Sequence, residues 1–214
     1  MPNSTPTSAW QALREGNERF VAGTSIHPSQ GADRRSELLE SQHPTAVIFG
    51  CGDSRVAAEI TFDQGLGDMF VVRTAGHVLD DSVLGSIEFA TDLLDVPLVV
   101  VLGHDSCGGL AATKDALDNG AIPQGFIRSI VERVGPSVMQ ARQQGLRTDD
   151  ELLGFHVMET AKLILERSRL IADKVAAGEC AIVGVTYTLS DGRMKLRGVV
   201  GDVGEVGLPL PSAD

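Results

Sequence analysis

Aromatic side chains are scarce in this 214-residue chain, at 4%. Val, Leu, Ile and Ala must therefore do most of the packing. Positive charge is also in short supply: 18 Lys and Arg stand against 29 Asp and Glu, for a formal net charge of −11. A sequence-independent grip on nucleic acid needs a basic surface that displaces counterions, so no nucleic-acid partner is expected. The acidic surface itself favours solubility and points to no partner. Cysteine occurs three times, as Cys51, Cys107 and Cys180. An odd, small number in a chain this long does not make a disulfide framework and leaves metal binding or simple burial. Long hydrophobic runs are missing too. The stretch VPLVVVLG is far too short to span a bilayer, and MPNSTPTSAW lacks the basic end and apolar run of a signal peptide. The expectation is a cytoplasmic protein with no membrane association.

What is present suits a packed globular domain. Apolar residues make up 43% and charged residues 22%, close to the globular average, and the length fits one domain spanning 1–214. Four apolar, β-branched runs read as buried strands: Pro44–Cys51, Met69–Thr74, Pro97–His104 and Cys180–Leu189. A turn at Ser190–Gly192 leads to RMKLRGVV, a hairpin partner for the fourth. Helical periodicity appears over Ala9–Gly23, with Ser8 as its cap, around Ser36–Ser41, over Ser82–Leu94, over Gly109–Leu117 and as one long helix over Glu151–Ala177. Apolar strands alternating with helices predict an α/β fold: a mostly parallel central sheet flanked by helices, with a C-terminal antiparallel hairpin strand and an N-terminal helical arm. In such sheets the sites sit beyond the strand C-termini.

Two of the strands end in possible metal ligands. The first runs into FGCGDSR, carrying Cys51, Asp53 and Arg55; the third runs into LGHDSC, carrying His104 and Cys107. If the two strands are parallel neighbours, Cys51, His104 and Cys107 converge. Two thiolates and an imidazole are a good zinc set and leave a fourth position open. Asp53 could accept a hydrogen bond from water on the metal or take the fourth position itself. Arg55 could grip Asp53 through a bidentate pair and hold it off the metal. Each residue alone has a plainer reading: a buried Cys packs as a small hydrophobe, and an exposed Asp–Arg pair contributes little. It is the combination at two strand ends that points to a metal centre.

These motifs, Cys-x-Asp-x-Arg and His-x-x-Cys, resemble the signature of the β-class carbonic anhydrases. The segments NERFVAG, FVVRTAGHV and GSIEFA extend the similarity from Trp10 to Tyr187. The resemblance implies zinc (Zn2+) on Cys51, His104 and Cys107, with Asp53 joining as a fourth ligand in a closed state only, and an Asp53–Arg55 catalytic dyad. It also implies substrate-binding positions at Gln42, Phe70, Ala75, Phe89 and Gly108. The implied reaction is reversible hydration of carbon dioxide to bicarbonate and a proton by zinc-bound hydroxide. Relatives that hydrolyse carbon disulfide or carbonyl sulfide on the same fold give the alternative. A homodimer or homotetramer is implied, with residues 1–35 as an arm on the partner subunit; packing of the Trp10–Val21 helix on its own subunit is the other possibility. Some members bind regulatory bicarbonate through a Trp, an Arg and a Tyr. Arg73 and Tyr187 match two of these, but Ile48 stands in the Trp position.

Other residues carry no such context. His77, near the site, is expected to make a structural hydrogen bond. His27, His43 and His156 stand in no motif, and Cys180 at the start of a core strand is expected to be buried and inert.

Overall fold

A computed structural model describes residues 4–205. Five strands form one sheet: β1 (Ala46–Cys51), β2 (Met69–Thr74), β3 (Leu98–His104), β4 (Ala181–Tyr187) and β5 (Met194–Val200), in the order β2-β1-β3-β4-β5. The first four run parallel, and β5 returns antiparallel to β4. Every residue of β1, β3 and β4 is buried. That explains their unbroken apolar character, since a parallel sheet is covered on both faces.

Strand periodicity sorts the side chains into two cores. Val47, Phe49, Val99 and Val101 face one core, which includes Val134, Val138, Val157, Ala161 and Ile164. Those come from α6 (Ile127–Gln143) and α7 (Asp149–Arg167). Ala46, Ile48, Val100 and Leu102 face the other, with Trp10 and Leu13 of α1 (Pro6–Ala22) and Phe62 beyond α3 (Ala58–Thr61). Within the chain, α1 thus buries its apolar stripe on its own sheet; Trp10 is 3% exposed. Between α1 and β1 lies the short α2 (Ala32–Glu37).

The chain leaves β1 for β2 on one side and then crosses to β3 on the other. Strand order therefore reverses between β1 and β3, and the crevice beyond their C-terminal ends is a switch point of the kind that hosts sites in open α/β sheets. Helix α7 approaches β3 closely because Gly103 has no side chain. A Cβ there would meet Val157 at 2.5 Å and Leu153 at 3.0 Å.

Several local expectations are corrected. Helix α1 starts before Ser8: Thr5 is the cap, and Ser8 returns the bond to the Thr5 backbone in a capping box. The long C-terminal helix is two, α7 and α8 (Arg169–Ala176), parted at Ser168. The Ser168 N–H closes α7 on the Ile164 carbonyl, while its Oγ accepts from Ile171 N at 3.2 Å and donates to Glu88 Oε1 at 2.6 Å. The pattern over Ser82–Leu94 is α4 (Asp81–Glu88) continued by a π-helical turn, Phe89–Leu93. Helix α5 covers Gly108–Asn119. Helix α6 had no counterpart in the sequence reading. Gly135 and Pro136 suggest a break there, but Val131, Val134, Val138 and Ala141 are buried on one face.

One buried carboxylate ties α1 to this framework. Asp63 is 2% exposed. It accepts Arg19 Nε at 2.6 Å and the backbone N–H groups of Ile26 and His27 at 3.1 and 2.9 Å. Burial opposes its charge, but these donors outweigh burial and lower its pKa. A carboxylate lowered on folding stabilises above its unfolded pKa, and that contribution is lost as pH falls through the folded value. Asp63→Asn is therefore expected to cost about 2 kcal/mol at pH 7, with the deficit narrowing as wild-type Asp63 takes up its proton in acid. Urea denaturation at pH 7 and pH 3 checks this; an equal deficit at both would assign the loss to shape rather than charge.

Candidate metal centre

Cys51 is the last residue of β1, His104 the last of β3, and Cys107 the N-cap of α5. The β1–β3 pairing places the first two side by side, and a short turn brings α5 back over them. One ligand atom from each lies within 4.8 Å of the others. The two sulfurs are 4.0 Å apart, close to the roughly 3.8 Å that two thiolates span on a tetrahedral zinc. All three residues are buried; His104 is 0% exposed.

The tautomer of His104 follows from its partner. Nδ1 lies 2.7 Å from the Asp105 carbonyl, which can only accept, so Nδ1 carries the hydrogen. Nε2 is left with a lone pair, buried and without a hydrogen-bond partner. An orphaned nitrogen beside two cysteine sulfurs is the donor set zinc prefers, and the residues fit that ion.

The charges point the same way. The hydrogen bond from Cys107 lowers Cys51 and makes it the thiolate of the pair; Gly76 N–H adds to this at 3.4 Å. Cys107 is raised by the same contact and by burial, while the N–H groups at the start of α5 pull it down. Burial disfavours a charged His104, yet the Cys51 and Asp53 charges raise its pKa overall. The cluster thus presents a buried negative potential suited to a cation.

Asp53 stands beside this group. Its Oδ2 is 3.9 Å from His104 Nε2. Arg55 holds it through Nε to Oδ1 at 2.9 Å and Nη2 to Oδ2 at 2.7 Å, and the Arg55 backbone N–H adds a bond to Oδ1 at 3.0 Å. This fork keeps the Asp53 pKa well below the usual carboxylate range. Arg55 also reaches the Ser106 carbonyl at 3.4 Å, linking the two motif loops.

Of the other expected positions, Ala75 and Gly108 lie at the ligand end of the sheet, whereas Phe70 pairs with Val47 near the start of β1 and carries Phe89 with it. Ala75 follows β2 and is exposed, close to Gly52; Gly108 opens α5 and is also exposed. Phe70 and Phe89 stack with ring centroids 6.2 Å apart. Gln42 is not gathered in. It is exposed and lines a separate cleft with Leu38, Leu39, Leu66 and Gly67. Arg73 donates to the carbonyls of Cys51 at 2.8 Å and Asp53 at 2.5 Å, bracing the ligand loop. Ile48 and Tyr187 are packed in the second core. Cys180 is buried, and burial pushes its thiol up to about 12, as expected of an inert residue. The sequence reading missed the Gly76 N–H on Cys51, since a backbone donor leaves no mark in residue type. His77 differs from expectation, for neither ring nitrogen has a hydrogen-bond partner.

The fold and the site define an α/β protein with a candidate thiolate–imidazole metal site at a sheet switch point. A sequence model of the carbonic anhydrase family matches residues 46–194, and the chain belongs to the β-class carbonic anhydrases, the lyases that interconvert carbon dioxide and bicarbonate. It is 63% identical to a carbonic anhydrase of Mycolicibacterium smegmatis, over 96% of this chain and 100% of that one. It is 60% identical to carbonic anhydrase 2 of Mycobacterium tuberculosis, over 96% and 99% of the two chains. Among solved structures, the β-carbonic anhydrase CafA of Aspergillus fumigatus is similar at 26% identity, with a TM-score of 0.66 over 87% of this chain and 89% of that one. One of two tetrameric β-carbonic anhydrases of Sordaria macrospora shares the fold at 20% identity, with a TM-score of 0.66 over 87% and 95%. Among the described residues no helix is long and apolar enough to cross a membrane.

The donor set makes a direct prediction. Wild-type protein loaded with zinc and dialysed is expected to keep one ion per chain. Cys51→Ser and Cys107→Ser are expected to lose most of it, and Cys180→Ser to keep it, as read by metal analysis. Full zinc in either of the first two variants would remove that cysteine from the centre.

Proposed function

We propose that the hydration site is built from Cys51, His104 and Cys107 as zinc ligands, with Asp53 and Arg55 as the dyad that serves the fourth position. The observation that carries this is the placement of Asp53 Oδ2, 3.9 Å from the unpartnered His104 Nε2 and locked by the Arg55 fork. Zinc held there supplies Lewis acidity that makes water nucleophilic near neutral pH. Asp53 Oδ1 takes two bonds from Arg55, while Oδ2 takes one and keeps lone pairs for a hydrogen at the fourth position. Arg55 thus orients the carboxylate and keeps it ionised, and release of the fork would free Asp53 to turn toward the metal in a closed state. Ala75 and Gly108 border the site from their own chain, while Phe70 and Phe89, set toward the start of β2, would wall a carbon dioxide pocket only from a second copy.

Gln42 points to an oligomer. Being exposed and remote within its own chain, it serves as a substrate donor only if a second copy brings it to a site. We read 1–214 as one domain that works as a homodimer or homotetramer, with 1–35 contacting the partner through the face of α1 turned away from its own sheet. Three unpaired cysteines suit a reducing compartment such as the cytoplasm.

Stopped-flow hydration with matched zinc analysis tests the reading. Asp53→Asn is expected to retain zinc and to lose about 100-fold in hydration rate, while Arg55→Lys, which cannot form the fork, loses a substantial part. Release of sulfide from carbon disulfide is expected to stay at the buffer blank. Wild-type hydration no faster than the blank between pH 7 and pH 9, or undiminished hydration in Asp53→Asn, would overturn the assignment.

A further inference from the structure

Gly76 connects the ligand cluster to two buried histidines that the hydration chemistry does not use. Its N–H donates to Cys51 Sγ at 3.4 Å, and its carbonyl lies 3.2 Å from His156 Nε2. A carbonyl can only accept, so Nε2 carries the ring hydrogen and Nδ1 is left with a lone pair. Ser137 Oγ lies 2.7 Å from that Nδ1 and 2.8 Å from the Val134 carbonyl. Both the Val134 carbonyl and Nδ1 are acceptors facing the one hydroxyl hydrogen, so Ser137 donates to the Val134 carbonyl and shares that hydrogen with His156 Nδ1. One line of bonds therefore runs from α6 through α7 and the turn after β2 to the sulfur at the end of β1.

The turn that carries Gly76 needs holding. Gly76 and His77 are consecutive left-handed residues, with φ of 68° and 40°, and for His77 that region is disfavoured. The His77 ring has no hydrogen bond to anchor it. It is gripped by packing, 4.3 Å from the His156 ring and edge-on to Phe49 at 6.3 Å. From the other side Gly109, two residues past Cys107, presses on the turn: a Cβ at Gly109 would lie 2.9 Å from Gly76 Cα. The peptide is wedged between the two thiol loops, and His156 touches both of its residues. Burial keeps His156 neutral, as an accepting Nδ1 requires.

We propose that His156 is a positioning residue for the metal centre: oriented by Ser137, it clamps the Gly76 carbonyl and backs the His77 ring, and so holds the Gly76 N–H on Cys51 Sγ. That N–H draws charge from the sulfur and directs its remaining lone pairs toward the ion. The inference rests on the zinc reading above, and its test separates the two.

Zinc affinity is measured by chelator competition, and the sulfur-to-metal charge-transfer band is recorded on the cobalt-substituted protein, with circular dichroism as the check of folding. His156→Leu is expected to weaken zinc about tenfold and to move the band to lower energy, because a sulfur freed of its N–H donor is more electron-rich. His156→Gln, whose amide nitrogen can replace Nε2, is expected to restore both. Unchanged affinity and band in folded His156→Leu, or a His156→Gln that behaves like it, would overturn the proposal. If His156→Leu does not fold, Ser137→Ala takes its place: a smaller shift in the same direction supports the clamp, and none overturns it. Wild-type protein that binds no zinc would sink the metal reading and this inference with it.

Discussion

The parallel pairing of β1 on β3 runs in register from Val47–Val99 to Gly50–Leu102, and the site hangs on that register. It sets Cys51 one residue past the last pair and His104 two residues past it. Side chains alternate along a strand, so a slip of one residue would turn Cys51 to the opposite face of the sheet. The third donor needs no long loop, because α5 starts at once beyond the turn and carries Cys107 as its N-cap. All three donors therefore sit at the ends of regular elements whose positions are set by two packed cores. Such placement gives the precision a metal centre demands.

The same convergence creates an electrostatic problem. Two sulfurs, an imidazole and a nearby carboxylate are brought into a largely buried space, where charge without a partner is costly. The surroundings answer with positive poles: the Gly76 N–H, the first N–H groups of α5, the Arg55 fork and the Arg73 braces. A zinc ion held by the three donors would be the remaining partner. Structural features that look incidental then acquire a common purpose. The left-handed turn at Gly76 and His77, the contact of Gly76 with Gly109, and the bond from Ser137 to His156 all bear on the sulfur of Cys51.

Much of this was legible in the sequence where a physical pattern leaves a mark. The buried strands read as apolar runs because both sheet faces are covered, and the ligand motifs sit at the ends of two of them. Reading failed where tertiary packing overrides a local cue. Pro136 suggests a break that the packing of α6 does not allow, and Ser168 interrupts a helical pattern that looks continuous because its hydroxyl binds both Ile171 N and Glu88. Gln42 lies exposed in another cleft, so its proposed role depends on a second copy that the sequence pattern does not display. His156 stands in no motif, because its partners are a backbone carbonyl and a serine distant in the chain.

The sequence by itself determined the α/β class, the zinc-type donor set and the Asp–Arg pair, because composition, periodicity and side-chain chemistry are local properties. Only the tertiary structure decided that Cys51 and His104 end neighbouring strands, that Asp53 is held in the Arg55 fork, and that Gly76 turns its N–H on the Cys51 sulfur. Those facts depend on register, on left-handed backbone and on contacts between residues distant in the chain, and no single segment encodes them.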